Sequence, residues 1–107
     1  MNDKRVVLTT AATVREANRL ADALVQRRLA ACVNVIPNVI SVYRWNGNVD
    51  RDYEQMLLIK TVDERIEELR ETLSSLHPYQ VPEFLVLPID RIEGPYLDWL
   101  VAAVTAP

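Results

Sequence analysis

The sequence predicts an α+β fold of the split βαβ type: an antiparallel sheet with two helices on one face, and a further helix at the end of the chain. Three observations lead there. Strand-like and helix-like segments run in the order strand, helix, strand, strand, helix, strand. Each half of the chain repeats one phrase, strand then Thr-Val-x-Glu then helix then strand, first at Thr13-Val14-Arg15-Glu16 and again at Thr61-Val62-Asp63-Glu64. Right-handed crossovers then put both helices on the same side of the sheet.

The elements follow in order. Residues 5–10 are short and β-branched, which reads as a buried strand. Thr13 and Glu16 match a capping box, Thr13 as N-cap and Glu16 reaching back. Val14, Ala17, Leu20, Ala21, Leu24 and Val25 recur at helical spacing, so the first helix is expected to reach about Arg28. Residues 31–45 form a long extended segment broken by Pro37, which cannot donate to a ladder and so implies a bulge or bend. Asn46-Gly47 is a hairpin signal. The polar stretch after it places the turn within residues 46–52 and the returning strand at residues 53–60. The second capping box opens a helix striped by Val62, Ile66, Leu69, Leu73 and Leu76. Residues 84–89 are the fourth strand. Gly94-Pro95 opens the last helix, whose apolar face is Tyr96, Leu97, Leu100, Val101 and Val104. With this order the fold is ferredoxin-like.

At 107 residues the chain reads as a single domain, 1–107. A formal net charge of −3 and the lack of a basic block argue against nucleic acid as a partner. The apolar runs fall short of the ~20 residues of a membrane helix, so no membrane role is expected. The N-terminus enters the first strand without an apolar leader, and one cysteine, Cys32, excludes an internal disulfide and suits a reducing compartment. The extended segment would span roughly 50 Å at ~3.3 Å per residue, against a radius of gyration of ~13 Å for a domain this size. The central hairpin must bend or overhang. A lone ribbon is marginal in water, and its open edges invite pairing, so self-association is expected. Tyr43, Trp45 and Tyr53 near its tip, and Trp99 in the last helix, are the interface candidates.

No nucleophile–base–orienter motif and no phosphate-cradling glycine loop is present, so no enzymatic activity is expected. The densest chemistry is His77-Pro78-Tyr79-Gln80-Val81-Pro82-Glu83, a stiff loop holding the only histidine. His77 follows a helix, where it is either a capping residue or a ligand for copper or zinc. Cys32 is either a small buried hydrophobe or, as a thiolate, a ligand for Cu(I) or zinc. Glu54 and Lys60 lie six apart and so share a face of their strand, which suits an ion pair or an edge charge. Glu54, Lys60, Tyr79 and Glu83 are the candidates for a ligand cleft.

Taken together, Leu29-Ala30-Ala31-Cys32-Val33-Asn34, Ser41-Val42-Tyr43-Arg44-Trp45-Asn46-Gly47, Glu54 with Lys60-Thr61, the His77 to Glu83 loop and Tyr96-Leu97-Asp98-Trp99 resemble the CutA family of divalent-cation tolerance proteins. The resemblance runs over nearly the whole chain. It implies a homotrimer similar in architecture to the PII signalling proteins, with hairpins paired between subunits, a cytoplasmic setting and no established catalysis. It also implies a role in the response to copper and other divalent metal ions, with no obligatory cofactor. Some family members are ascribed a metal site with a cysteine at the end of the first strand and paired histidines. Thr9 and Leu76 stand at two of those positions here, leaving His77 with Cys32 or oxygen donors. The alternative is a PII-like regulator with a small metabolite in its inter-subunit clefts. Two other activities seen on this topology fit poorly. An acylphosphatase needs a phosphate-binding loop where Thr10-Ala11-Ala12-Thr13 stands, and an RNA-binding sheet needs an aromatic pattern that residues 53–60 do not match.

Overall fold

The computed structural model describes residues 3–105. The leader-free reading of the N-terminus falls partly on Met1 and Asn2, outside those residues. Four strands, β1 (Lys4–Ala11), β2 (Cys32–Trp45), β3 (Asn48–Val62) and β4 (Leu85–Pro88), form one antiparallel sheet in the order β2-β3-β1-β4. Helices α1 (Val14–Gln26), α2 (Ile66–Leu76) and α3 (Gly94–Val104) complete the chain. This is the split βαβ order that the sequence predicts.

Strand alternation sorts the sheet into two faces. Val7 and Ala11 of β1, with Leu57 and Ile59 of β3, point to the side where Ala17, Leu20 and Leu24 of α1 and Leu69 and Leu73 of α2 close the main core. Both helices therefore cover one face, as expected. The terminal helix α3 sits on the other, where Leu100 and Val104 pack with Val62 and Ala31. Only the end of that second face is covered by α3. Beside it, Ile36, Leu85 and Leu87 are exposed.

The first capping box is half formed. Thr13 Oγ1 accepts from the Glu16 amide at 3.1 Å, but the Glu16 carboxylate takes Arg19 Nη2 at 2.7 Å instead of reaching back. Arg19 Nη2 also donates to the Leu76 carbonyl at 2.6 Å, tying α1 to the end of α2. The second box is not a cap at all. Thr61 lies inside β3, fully buried, with Oγ1 donating to the Leu29 carbonyl at 2.7 Å. A short 3₁₀ turn, Asp63–Arg65, leads into α2 without a side-chain cap. In α3, Leu100 and Val104 are buried, whereas Tyr96 and Val101 remain exposed. Arg65 donates twice to the Val104 carbonyl and Arg28 once to that of Ala103. Two cations thus meet the negative end of that helix.

The hairpin is longer than expected, because its turn is only Asn46-Gly47. Both residues have positive φ, 49° and 82°, as a two-residue primed turn requires. The strands pair from Trp45↔Asn48 inward, with a register shift between Ile36 and Val39 that brackets Pro37. Asn38 there has φ 59°, and its amide donates to Gln55 Oε1 at 3.0 Å while Gln55 Nε2 donates to the Ala12 carbonyl at 3.2 Å. The strand β1 pairs with β3 only as far as Ala11↔Gln55. Beyond that point the hairpin is a two-stranded ribbon, and it stretches the molecule to 45 × 25 × 22 Å. A Cβ at Gly47 would meet nothing within 4 Å, so Gly47→Ala carries only the backbone cost of positive φ. It should lower stability by about 1 kcal/mol, read as a shift of the urea midpoint.

Candidate functional site

The stiff loop between α2 and β4 folds back over the base of the ribbon. His77 is the anchor. It ends α2 and is only 8% exposed. Its Nδ1 accepts the Tyr79 amide at 3.1 Å, which assigns the proton to Nε2, and Nε2 donates to the Thr10 carbonyl at 2.6 Å. The ring also packs on that of Tyr79, with centroids 4.6 Å apart. Tyr79 then reaches across to β3, its hydroxyl donating to Glu54 Oε2 at 2.7 Å. On the ribbon, Tyr43 makes the parallel bond to Asp52 Oδ2. Between loop and ribbon lies a cavity of about 640 Å³, bordered by Tyr43, Trp45, Asp52, Glu54, Tyr79 and Glu83 among others.

The electrostatics are one-sided. Burial, followed by the bond to Glu54, pushes the Tyr79 phenol far above its ordinary range. Its bond to Asp52 raises the Tyr43 phenol to about 12. Burial first, and then the neighbouring Glu54 charge, raises the Glu83 carboxyl above its usual 4.5. Above 4.5, and up through its raised value, folded Glu83 holds a proton that the unfolded chain has released. Glu83 therefore makes stability fall as pH rises through that window. Glu83→Gln cannot ionise, so it should flatten that part of the profile. Urea midpoints from pH 4 to pH 7 should show the variant gaining on the parent as pH rises.

Glu54, Tyr79 and Glu83 thus meet in one cleft. Lys60 does not join them. It is six residues further along β3, roughly 20 Å away at strand spacing, and its Nζ lies 5.7 Å from the centre of the Tyr96 ring. The expected Glu54–Lys60 ion pair is therefore not formed. Asp52 escapes the sequence reading because the expected turn covers it. Once the turn is Asn46-Gly47, register puts Tyr43 opposite Asp50 and Ser41 opposite Asp52, and the Tyr43–Asp52 bond is a diagonal of that ladder.

His77 and Cys32 are not brought together. Cys32 is opposite Lys60, whereas His77 holds Thr10, which is opposite Met56; the four-residue offset along β3 is ~13 Å. Cys32 Sγ lies instead 3.8 Å from Asn34 Oδ1. Thr9 is fully buried with its Oγ1 unpartnered, and Leu76 packs against the core. Among the described residues no three His, Cys, Asp or Glu side chains converge as a metal ion would need. Within one chain these residues do not fit a metal centre.

The profile of the CutA1 divalent ion tolerance proteins matches residues 5–103. The chain belongs to the CutA1 family. A divalent-cation tolerance protein CutA of Thermus thermophilus is 47% identical over 91% of this chain and 94% of its own length. The solved structure of a Cut A1 protein from that organism superposes with a TM-score of 0.88 over those same shares of the two chains. The CutA structure of Synechococcus elongatus has a TM-score of 0.94 at 42% identity, over 98% of this chain and 93% of that one. Protein CutA of Homo sapiens is 42% identical over 78% of this chain, which spans only 47% of that longer relative. The CutA1 fold is therefore the frame in which the cleft sits.

Proposed function

We propose that this CutA1 chain works as a homotrimeric, non-enzymatic protein of the response to divalent metal ions. The ribbon carries this reading. Beyond Gln55 it has no third strand among the described residues, and one of its faces holds Ile40, Val42, Val49 and Tyr53 at 56%, 53%, 65% and 69% exposure. A ribbon so exposed is marginal alone and gains by packing on other copies. Trp99 of α3 is exposed as well and suits contacts between copies, whereas Tyr43 and Trp45, the other interface candidates, are exposed on the opposite face of the ribbon, against the cleft. The metal role is supported by the names of the relatives. The only imidazole is not poised as a general base, since both of its nitrogens are engaged by the main chain. A cytoplasmic setting is supported by the single unpaired cysteine.

On this reading Cu²⁺, or another divalent ion, reaches His77 only by displacing the Tyr79 amide from Nδ1. Calorimetric titration with Cu²⁺, with the particle mass measured on the same sample, tests both parts. A trimer is expected, with at most weak binding that His77→Ala abolishes. A monomeric mass at micromolar concentration overturns the assembly. Tight binding that survives His77→Ala overturns the part given to His77.

The cavity under the 79–83 loop favours a second reading, a PII-like regulator that binds a small metabolite, with the site lined by one chain and not by the inter-subunit cleft the sequence suggests. Its volume lies within the ~300–1,000 Å³ of ordinary ligand pockets.

A further inference from the structure

The chemistry of the cavity narrows the ligand of that second reading, on which this proposal rests. The cavity has aromatic walls and acidic corners. Asp52, Glu54 and Glu83 border it together with the rings of Tyr43, Trp45 and Tyr79, and no Lys, Arg or His is among its lining residues. Among the described residues none of the three carboxylates forms an ion pair. Asp52 and Glu54 are each met by one phenol, at Oδ2 and Oε2, which leaves the second oxygen of each for another donor. Glu83 is half-buried and has no cationic partner among the described residues, and desolvation followed by the nearby Glu54 charge holds its carboxyl above the usual range. Phenols soften this concentration of negative charge without neutralising it.

Three kinds of ligand can be compared. Anions such as nucleotides or carboxylic acids would bring like charge against three carboxylates in a partly desolvated space. A bare metal ion needs donors that converge, and these are spread around the cavity. A cation with its own length and N–H donors satisfies each condition. It can span the corners, donate to separate carboxylates and lay its charge or its methylenes against ring faces. We propose that the cleft binds a small organic cation, a linear diamine or guanidinium-bearing amine, held by Asp52, Glu54 and Glu83 and packed on Tyr43, Trp45 and Tyr79.

Calorimetry with 1,4-diaminobutane and 4-guanidinobutylamine tests this on the purified protein, with 1,4-butanediol as the neutral control and MgCl₂ as the metal control. Saturable binding of at least one amine is expected, with Glu83→Gln and Glu54→Gln each weakening it tenfold or more. The diol should give no binding, and Mg²⁺ at the same charge concentration should not displace the amine. Melting curves show that the variants are folded. Should Glu54→Gln fail to fold, Glu83→Gln alone decides. No saturable binding, binding unchanged by the substitutions, or displacement by Mg²⁺ overturns the proposal. The mass of the same sample separates this outcome from the assembly: the cavity lies within one chain, so a trimer that ignores amines overturns only the ligand, and a monomer that binds them overturns only the trimer.

Discussion

Replacing His77 by alanine is expected to lower stability by about 2–4 kcal/mol, with metal present or absent. The reason is local. The imidazole is buried, its Nε2 proton satisfies the Thr10 carbonyl, and its Nδ1 lone pair satisfies the Tyr79 amide. Alanine leaves both main-chain groups without that partner and opens a void beneath the loop. Tyr79 is then held less firmly over Glu54, so the cleft should loosen along with the fold. Urea unfolding with and without a chelator measures the loss. A loss of the same size in both conditions assigns His77 a structural task. A loss seen only when metal is supplied would sink this account and restore the imidazole as a ligand.

Ile40→Lys combined with Tyr53→Glu should dissociate the assembly while leaving the subunit folded. These two residues are directly opposite in the ribbon, so opposite charges keep the cross-strand pair favourable. The cost falls on burial. Each apolar side chain buried between subunits is worth ~1.5–3 kcal/mol, so the pair removes roughly 3–6 kcal/mol per protomer. At about 1.4 kcal/mol per tenfold, that weakens association by several orders of magnitude. Light scattering at micromolar concentration should report a smaller particle with the far-ultraviolet dichroism of the parent. A mass equal to the parent's would show that this face of the ribbon is not where the copies meet.

Much of the fold was legible because it depends on local signals. The stripes of α1 and α2, the Asn46-Gly47 turn, the break at Pro37 and the opening of α3 at Pro95 all express backbone preference or apolar periodicity. What failed depended on tertiary partners. Thr61 satisfies a capping pattern as well as Thr13 does, but the carbonyl of Leu29 claims its hydroxyl. Lys60 and Glu54 share a face, but six residues of strand hold them roughly 20 Å apart, and Lys60 turns to the Tyr96 ring of α3 instead. His77 sits where a ligand could, and only the fold brings Thr10 to its Nε2. In the cleft, Tyr79 and Glu83 were visible in the loop's own composition, whereas Asp52 became visible only with the register.

The register shift at Pro37 has a consequence for the whole ribbon. Before it, Cys32 is opposite Lys60 and Ile36 opposite Met56; after it, Val39 is opposite Glu54 and Tyr43 opposite Asp50. One extra residue on β2 has inverted the phase of the strand. The side of the sheet that takes even-numbered side chains below the bulge takes odd-numbered ones above it. Were the phase preserved, Ile40 would look into the acidic cleft, and Tyr43 and Trp45 would look away from it. The inserted residue thus acts as a parity switch written into the backbone. It decides which half of an alternating sequence stays an exposed apolar face and which half becomes the wall of a pocket.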